Sequence, residues 1–270
     1  MTKTEQIYKI LLKKKVVNID DAVTAAEKII KRYLSRAYVH NEYLHKLLQQ
    51  KRLVRIRKGL YLVLDPLEGY ASFSIDKILV GSKIRMRYYL GYHTALEFYG
   101  CAYSSVYNEV YVCVSKKDRF NAFECKRMRF VPAFTKDIRT GVDKRKYLGV
   151  QVFVSSPERT FADCISKPGY AGGWEECLKS LEGLSGIKKQ EIYGLLCKLD
   201  VDFLYRKAGL ILEMLRKHSV HYEWVNDSLL AEIKTHIGVS PMYIERKPSV
   251  LNKKWNLYVP KNFEGLLRGV

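Results

Sequence analysis

Eight side chains between positions 36 and 58 carry the most distinctive chemistry of this 270-residue chain. Arg36, His40, Asn41 and His45 recur, with Ala37 and Gln49, on the polar face of a helix-period segment from Ser35 to Gln50. Arg52, Arg55, Arg57 and Lys58 follow at once in a short β-patterned stretch, Leu53 to Leu64. An Asn amide offers a donor beside an acceptor, the pattern that matches N6 and N7 of adenine, and a guanidinium fork matches O6 and N7 of guanine. Small side chains such as Ala37 can meet a thymine methyl. Cations grouped at a turn bind phosphate oxygens and set register without reading sequence. The chemistry these residues suggest is recognition of duplex DNA.

Bond-breaking chemistry has weaker candidates. Glu124-x-Lys126 with Asp118, and Glu245-x-Lys247 with Asp227, match the D…[D/E]-x-K pattern of magnesium-dependent nucleases loosely, and acid-x-Lys pairs are no commoner here than composition dictates. His218-x-x-His221 has Glu223 as its one nearby acidic neighbour, which is too little for a zinc site. Neither G-x-x-x-x-G-K-[ST] nor G-x-G-x-x-G occurs. The six cysteines form no C-x-x-C pair and sit mostly in apolar surroundings such as Val112-Cys113-Val114, as buried free thiols of a reducing compartment do. No catalytic residue, metal or cofactor is therefore expected.

Three helices and a hairpin must position the eight residues. Thr4 to Lys14 places Ile7, Ile10 and Leu11 on one stripe, with Thr4 or Thr2 as cap. Asn18 to Asp21 caps a second helix, Ala22 to Arg32, and Tyr33-Leu34 links it to a third capped by Ser35. In the third, Val39, Leu44, Leu47 and Leu48 form the inner stripe, with room for Tyr43. In the hairpin Val54 and Ile56 alternate with Arg55 and Arg57, which predicts one apolar and one basic face, and Gly59 suits a tight turn. The charge agrees. Lys+Arg number 47 against 28 Asp+Glu, a net +19, and residues 1–64 carry +10 of it. Such a field attracts polyanions.

Asp65 to Tyr70 breaks the pattern, so residues 1–68 are expected to form a winged helix-turn-helix and 69–270 a second domain. Residues 69–170 predict a mixed sheet and helix part: helices at Ser74 to Ser82 and Tyr89 to Gly100, then strands at Val110 to Val114, Met128 to Phe134 and Val150 to Val154. Polar stretches 116–127 and 136–147 read as loops or hairpin ends. Ser155-Ser156-Pro157-Glu158-Arg159-Thr160 reads as a capped helix start, with Arg159 and Asp163 spaced to pair. Residues 171–270 predict a mainly helical part: Glu175 to Glu182, Lys188 to Leu199, Asp202 to Lys217 and Asp227 to Ile237. Edge strands are expected at Met242 to Glu245 and Trp255 to Val259, between prolines. The fold class is α+β, an N-terminal winged helix-turn-helix followed by a mixed α/β domain with a helical C-terminal extension. No apolar run reaches the ~20 residues of a membrane span, and Leu11-Leu12 runs into three lysines where a signal peptide would keep its apolar core, so a soluble cytoplasmic protein is expected.

The hairpin R-x-R-K-G-L-Y-L-V, the segment Y-H-T-A-L-x-F-Y-G at Tyr92 to Gly100, the strand Val110 to Val114, and G-V-x-V-F-V-S-S-P-E-R-T-x-x-D at Gly149 to Asp163 occur in this order. Across residues 1–165 the order resembles the AbiEi family of transcriptional regulators, the antitoxins of type IV toxin–antitoxin systems. The resemblance implies a repressor that binds inverted repeats in its own promoter, opposing a nucleotidyltransferase-like toxin without a stable complex, with the antitoxin role in the C-terminal domain. It implies no catalytic residues. A DNA-binding regulator without a toxin partner, a magnesium-dependent nuclease and an RNA-binding protein, the last suggested by 20 tyrosines, remain the alternatives.

Overall fold

The computed structural model describes residues 1–67, 73–105 and 107–268. Helix α1 (Lys3–Leu12) starts where Thr2 accepts a hydrogen bond from the Glu5 amide. Strand β1 (Val16–Asn18) leads into α2 (Ile19–Ile30), whose first turn is closed by a reciprocal capping box between Asn18 and Asp21. Lys31, at φ 59°, ends α2 in the left-handed region. Ser35 caps α3 (residues 36–49), which joins Arg36–Val39, a π-helical turn His40–Leu44 and His45–Gln49. That turn has a cause in the spacing of buried side chains. Val39 and Leu44 both lie in the core, yet five residues of ordinary helix would set them about 140° apart. The His45 amide bonds the His40 carbonyl instead, absorbing the extra residue and keeping Val39, Leu44 and Leu47 on one side.

Strands β2 (Leu53–Arg57) and β3 (Leu60–Val63) form the hairpin, and β3 also pairs with β1 in an antiparallel sheet of order β1-β3-β2. Leu53, Tyr61, Val63 and Val17 face the three helices, packing with Ile7, Leu11, Ala26 and Leu47. The other face is equally buried. Val16, Leu60, Leu62 and Leu64, with Val54 and Ile56 beside them, join Ile78, Leu79, Val112 and Val154 in a second core. The apolar core thus crosses the division expected between 68 and 69, a point that itself lies outside the described residues.

Beyond it, α4 (Lys77–Lys83) begins three residues later than the spacing suggests, because Asp76 provides the cap for Leu79. The helix expected from 89 to 100 is divided. Tyr89–Leu90 is a strand (β4), Tyr92 turns the chain at φ 55°, and α5 covers His93–Phe98. Burial on both faces explains the change, since β4 lies between two neighbours in the middle of a six-stranded sheet. The others are β5 (Glu109–Val114), β6 (Phe123–Cys125), β7 (Met128–Phe134), β8 (Val142–Tyr147) and β9 (Val150–Ser155), in the order β6-β7-β5-β4-β9-β8. β5, β7 and β9 match the expected runs. β6 and β8 fall in the stretches read as loops or hairpin ends and form the outer strands of hairpins: both are edge strands, paired on one side only, so polar sequences such as Val142-Asp143-Lys144-Arg145 suffice.

Helix α6 (Pro157–Ser166) starts as expected, capped by Ser156 with proline in its first turn. Its Arg159 is buried, and Nε donates to Asp163 Oδ1 at 2.8 Å. Nη1 reaches the Thr140 carbonyl at 3.0 Å and Nη2 the Tyr89 hydroxyl at 3.1 Å, while Tyr89 donates to Asp163 Oδ2 at 2.8 Å. Four further helices follow, α7 (Trp174–Glu182), α8 (Lys189–Leu199), α9 (Asp202–His218) and α10 (Asp227–Lys234). They enclose a third core that includes Trp255, which lies so close to α9 that a Cβ on Gly209 would stand 2.1 Å from its ring. The chain ends in a small sheet of β10 (Met242–Tyr243), β11 (Ser249–Asn252) and β12 (Leu257–Pro260), then α11 (Gly265–Arg268). Here β12 is central, contrary to the edge position its proline suggested. Pro260 is its last residue, where the missing N–H costs the ladder least. Arg206 ties α9 to this sheet through both Asp202 oxygens and the carbonyls of Gly238, Ser240 and Asn256.

One buried cation gives the molecule a pH signature. Lys207 Nζ donates to the Ile165 carbonyl at 3.0 Å and lies 4.1 Å from the Phe203 ring centre. Burial pushes its ammonium down to about 8. An unfolded chain keeps lysine protonated to about pH 10.4, so between these values the unfolded state holds more protons and stability rises with pH. Lys207→Met is expected to flatten denaturation midpoints measured between pH 8 and pH 10. A slope unchanged by the substitution would assign the effect elsewhere.

Candidate nucleic-acid interface

The outer face of α3 presents Arg36, Ala37, Asn41, His45 and Gln49 to solvent. Arg36 is held 2.8 Å from Asp20 of α2, with side-chain exposures of 69% and 42%. An exposed pair of this kind is worth about 0–1 kcal/mol, so the guanidinium is easily released to another anion. His40 is half-buried, its Nδ1 3.0 Å from Asn41 Oδ1. An amide oxygen only accepts, so Nδ1–H is the donor. This bond takes one lone pair of the exposed Asn41 amide oxygen and leaves its NH2 group and the other lone pair for a further partner. His45 is exposed, and its neighbour Lys46 pairs with Glu42 one turn back. Near the α2–α3 link, Tyr33 is 88% exposed, and the Arg32 guanidinium lies 5.9 Å from the Tyr38 ring centre.

The four hairpin cations divide. Arg55 and Lys58 are exposed. Arg52 pairs with Glu5 and stacks 4.8 Å from the Tyr8 ring centre, fastening β2 to α1. Arg57 turns the other way, 4.6 Å from the Phe123 ring centre and 5.9 Å from that of Phe120. The regular alternation expected along β2 is broken by a shift of register between Arg55 and Arg57. Val54 and Ile56 do pack into the second core, but the basic residues do not share one face. Burial lowers the Arg57 guanidinium below its ordinary range, and the like charge of Arg85 pushes the same way. Its buried Nη1 has no hydrogen-bond partner.

Of the eight residues, Arg36, Asn41 and His45 are thus brought onto one open helix face, with His40 beneath Asn41. Arg55 and Lys58 stand free on the hairpin, whereas Arg52 and Arg57 are engaged with aromatic rings. Lys83, Arg85, Phe120 and Phe123 complete the surroundings of the turn. No local pattern marked them, because their partners are far away in sequence.

The loosely matching acidic residues are dispersed. Asp118 accepts from Ser115 Oγ at 2.8 Å and pairs with Arg87 at 3.3 Å. Glu124 lies on edge strand β6, Asp227 pairs with Arg216 at 2.7 Å and Glu245 with Lys247 at 2.9 Å. His218 Nε2 lies 3.2 Å from Glu264. Among the described residues no three His, Cys, Asp or Glu side chains converge as metal ligands would. No helix among them is long and apolar enough to cross a membrane.

No family model matches the sequence. No curated protein matches it either. Among solved structures, the crystal structure of the RV2827C protein from Mycobacterium tuberculosis superposes with a TM-score of 0.66 over 100% of this chain and 94% of that one, at 13% identity. At that identity the likeness is one of fold.

Proposed function

We propose that residues 1–68 form a winged helix-turn-helix and that the protein is a sequence-specific, double-stranded DNA-binding repressor. The observation that carries this is the α1–β1–α2–α3–β2–β3 order, with its β1-β3-β2 sheet and an uncovered α3 face holding Arg36, Asn41 and His45. In this reading α3 enters the major groove, where Asn41 reads a base edge and Arg36 trades Asp20 for guanine or phosphate. Arg55 and Lys58 lie on the backbone beside it. The resemblance to the AbiEi antitoxins extends the proposal. The targets would be inverted repeats in the protein's own promoter, and it would act in the cytoplasm as the antitoxin of an AbiE-like type IV system, opposed to a nucleotidyltransferase-like toxin.

Salt dependence tests the DNA-binding half. Each phosphate contact contributes about −0.9 to the slope of log K against log salt, so Arg55→Ala with Lys58→Ala is expected to flatten the slope by about 1.8 and weaken all sequences alike. An unchanged slope would remove the hairpin from the interface. A competition in which RNA displaces duplex DNA would overturn the duplex reading itself. Growth rescue when the chain is co-expressed with a neighbouring nucleotidyltransferase-like gene product tests the antitoxin half, and absence of rescue would leave a regulator without a toxin partner.

A further inference from the structure

Arg57 and Arg85 share one aromatic ring, their guanidinium carbons 5.9 Å and 5.4 Å from the centre of Phe120. Like charges are held there without an anion between them. Arg57 Nη1 lacks an acceptor. Arg85 donates to the carbonyls of Ile84, Asp118 and Arg119, which take three of its five N–H groups, and the one carboxylate that feels its charge, Asp118, is itself bound to Arg87 and Ser115. The carboxylates nearby are already taken. Asp118 is held by Arg87 and Ser115 and Asp21 by Lys14 and Lys83, while Asp20, on the rim of the cleft, is shared with the exposed Arg36. Arg57, Arg85 and the exposed Lys58 line an open cleft of about 250 Å3 between the hairpin turn and residues 83–86.

We propose that this cleft binds a phosphate group, monoester or diester, through Arg57, Lys58 and Arg85. Guanidinium forks suit a tetrahedral oxyanion because each presents two parallel N–H groups to two oxygens, and an ammonium adds a mobile third donor. Cation–π contact with Phe120 steadies both guanidinium groups, so little side-chain freedom is lost on binding. One wall of the cleft comes from the N-terminal unit and one from the chain after α4, so an occupant would bridge them. The site stands whether or not α3 reads DNA.

Calorimetric titration of the full chain with inorganic pyrophosphate, in the absence of DNA, tests it. The expected result is saturable binding of one equivalent, weakened about tenfold by Lys58→Gln or Arg85→Gln and unaffected by Lys261→Gln on a distant exposed loop. Lys58 is exposed on a turn, so its replacement leaves the fold intact even if loss of the three Arg85 bonds does not. A duplex oligonucleotide then identifies the source of the phosphate: displacement of pyrophosphate assigns the cleft to the DNA backbone, and simultaneous binding assigns it to a free phosphorylated molecule. The proposal is overturned if pyrophosphate gives no saturable heat, or if Lys58→Gln and Arg85→Gln both leave its affinity unchanged, whatever the salt slope of duplex binding shows about the hairpin.

Discussion

Replacing Arg159 by Ala is expected to cost about 3–5 kcal/mol, the range for removing one partner of a buried ion pair. Five groups would lose a donor at once: the Asp163 carboxylate, the Thr140 and Asp137 carbonyls, and the Tyr89 and Thr135 hydroxyls. Burial already raises the Asp163 carboxyl above the usual range, with Arg159 the main influence pulling it back. Without that guanidinium the buried carboxyl would keep the Tyr89 hydroxyl but lose its ion-pair partner, and protonation would be its cheapest relief. The loss should therefore shrink in mildly acidic buffer. Chemical denaturation of Arg159→Ala at neutral and acidic pH measures both effects. Arg159→Met combined with Asp163→Leu should recover much of the stability, because a buried pair replaced by apolar groups of similar volume is often neutral. A single substitution that cost under about 1 kcal/mol would show the network to be incidental.

The second large effect falls on recognition. Asn41→Ala is expected to cost about 1–3 kcal/mol on the specific site and nothing on unrelated DNA, since a base contact discriminates where a phosphate contact does not. The bond from His40 to the Asn41 oxygen adds a second prediction. His40→Ala should lose part of the same discrimination, and the double variant should lose little more than Asn41→Ala alone, as coupled neighbours do. Binding to operator and to random duplex, measured side by side, gives the ratio. If Asn41→Ala weakened both equally, α3 would not be the reader.

The features legible in the sequence were those encoded locally. Capping side chains at Thr2, Asn18, Ser35 and Ser156 mark helix starts that the structure keeps. Gly59, at φ 77°, marks the hairpin turn. The five-residue step from Val39 to Leu44 was visible as well, although its meaning, a π-helical turn, needed the backbone. What escaped was decided at long range. Edge strand β8 is the exception, for its partner β9 is adjacent in the chain and its own charges hide the hairpin. Tyr89 and Leu90 match a helical pattern until β5 and β9 claim them. Arg52 and Arg57 look equivalent to Arg55 along the chain, but Glu5, Tyr8, Phe120 and Phe123 decide where they point.

The sheet β1-β3-β2 is covered on one face by its own helices and on the other by α4 and the six-stranded sheet. Modularity is the casualty. A recombination event that exchanged only the first 67 residues with those of a relative would import a sheet whose outer side chains had never been matched to Ile78, Leu79 and Val112. Under the proposed DNA-binding reading, new target sequences would arise by point changes on the outward side of α3, which touch neither core. In a lineage of such proteins the exposed positions 37, 41 and 45 are expected to drift fast, while Leu60, Leu62 and Leu64 would change only together with their partners across the boundary.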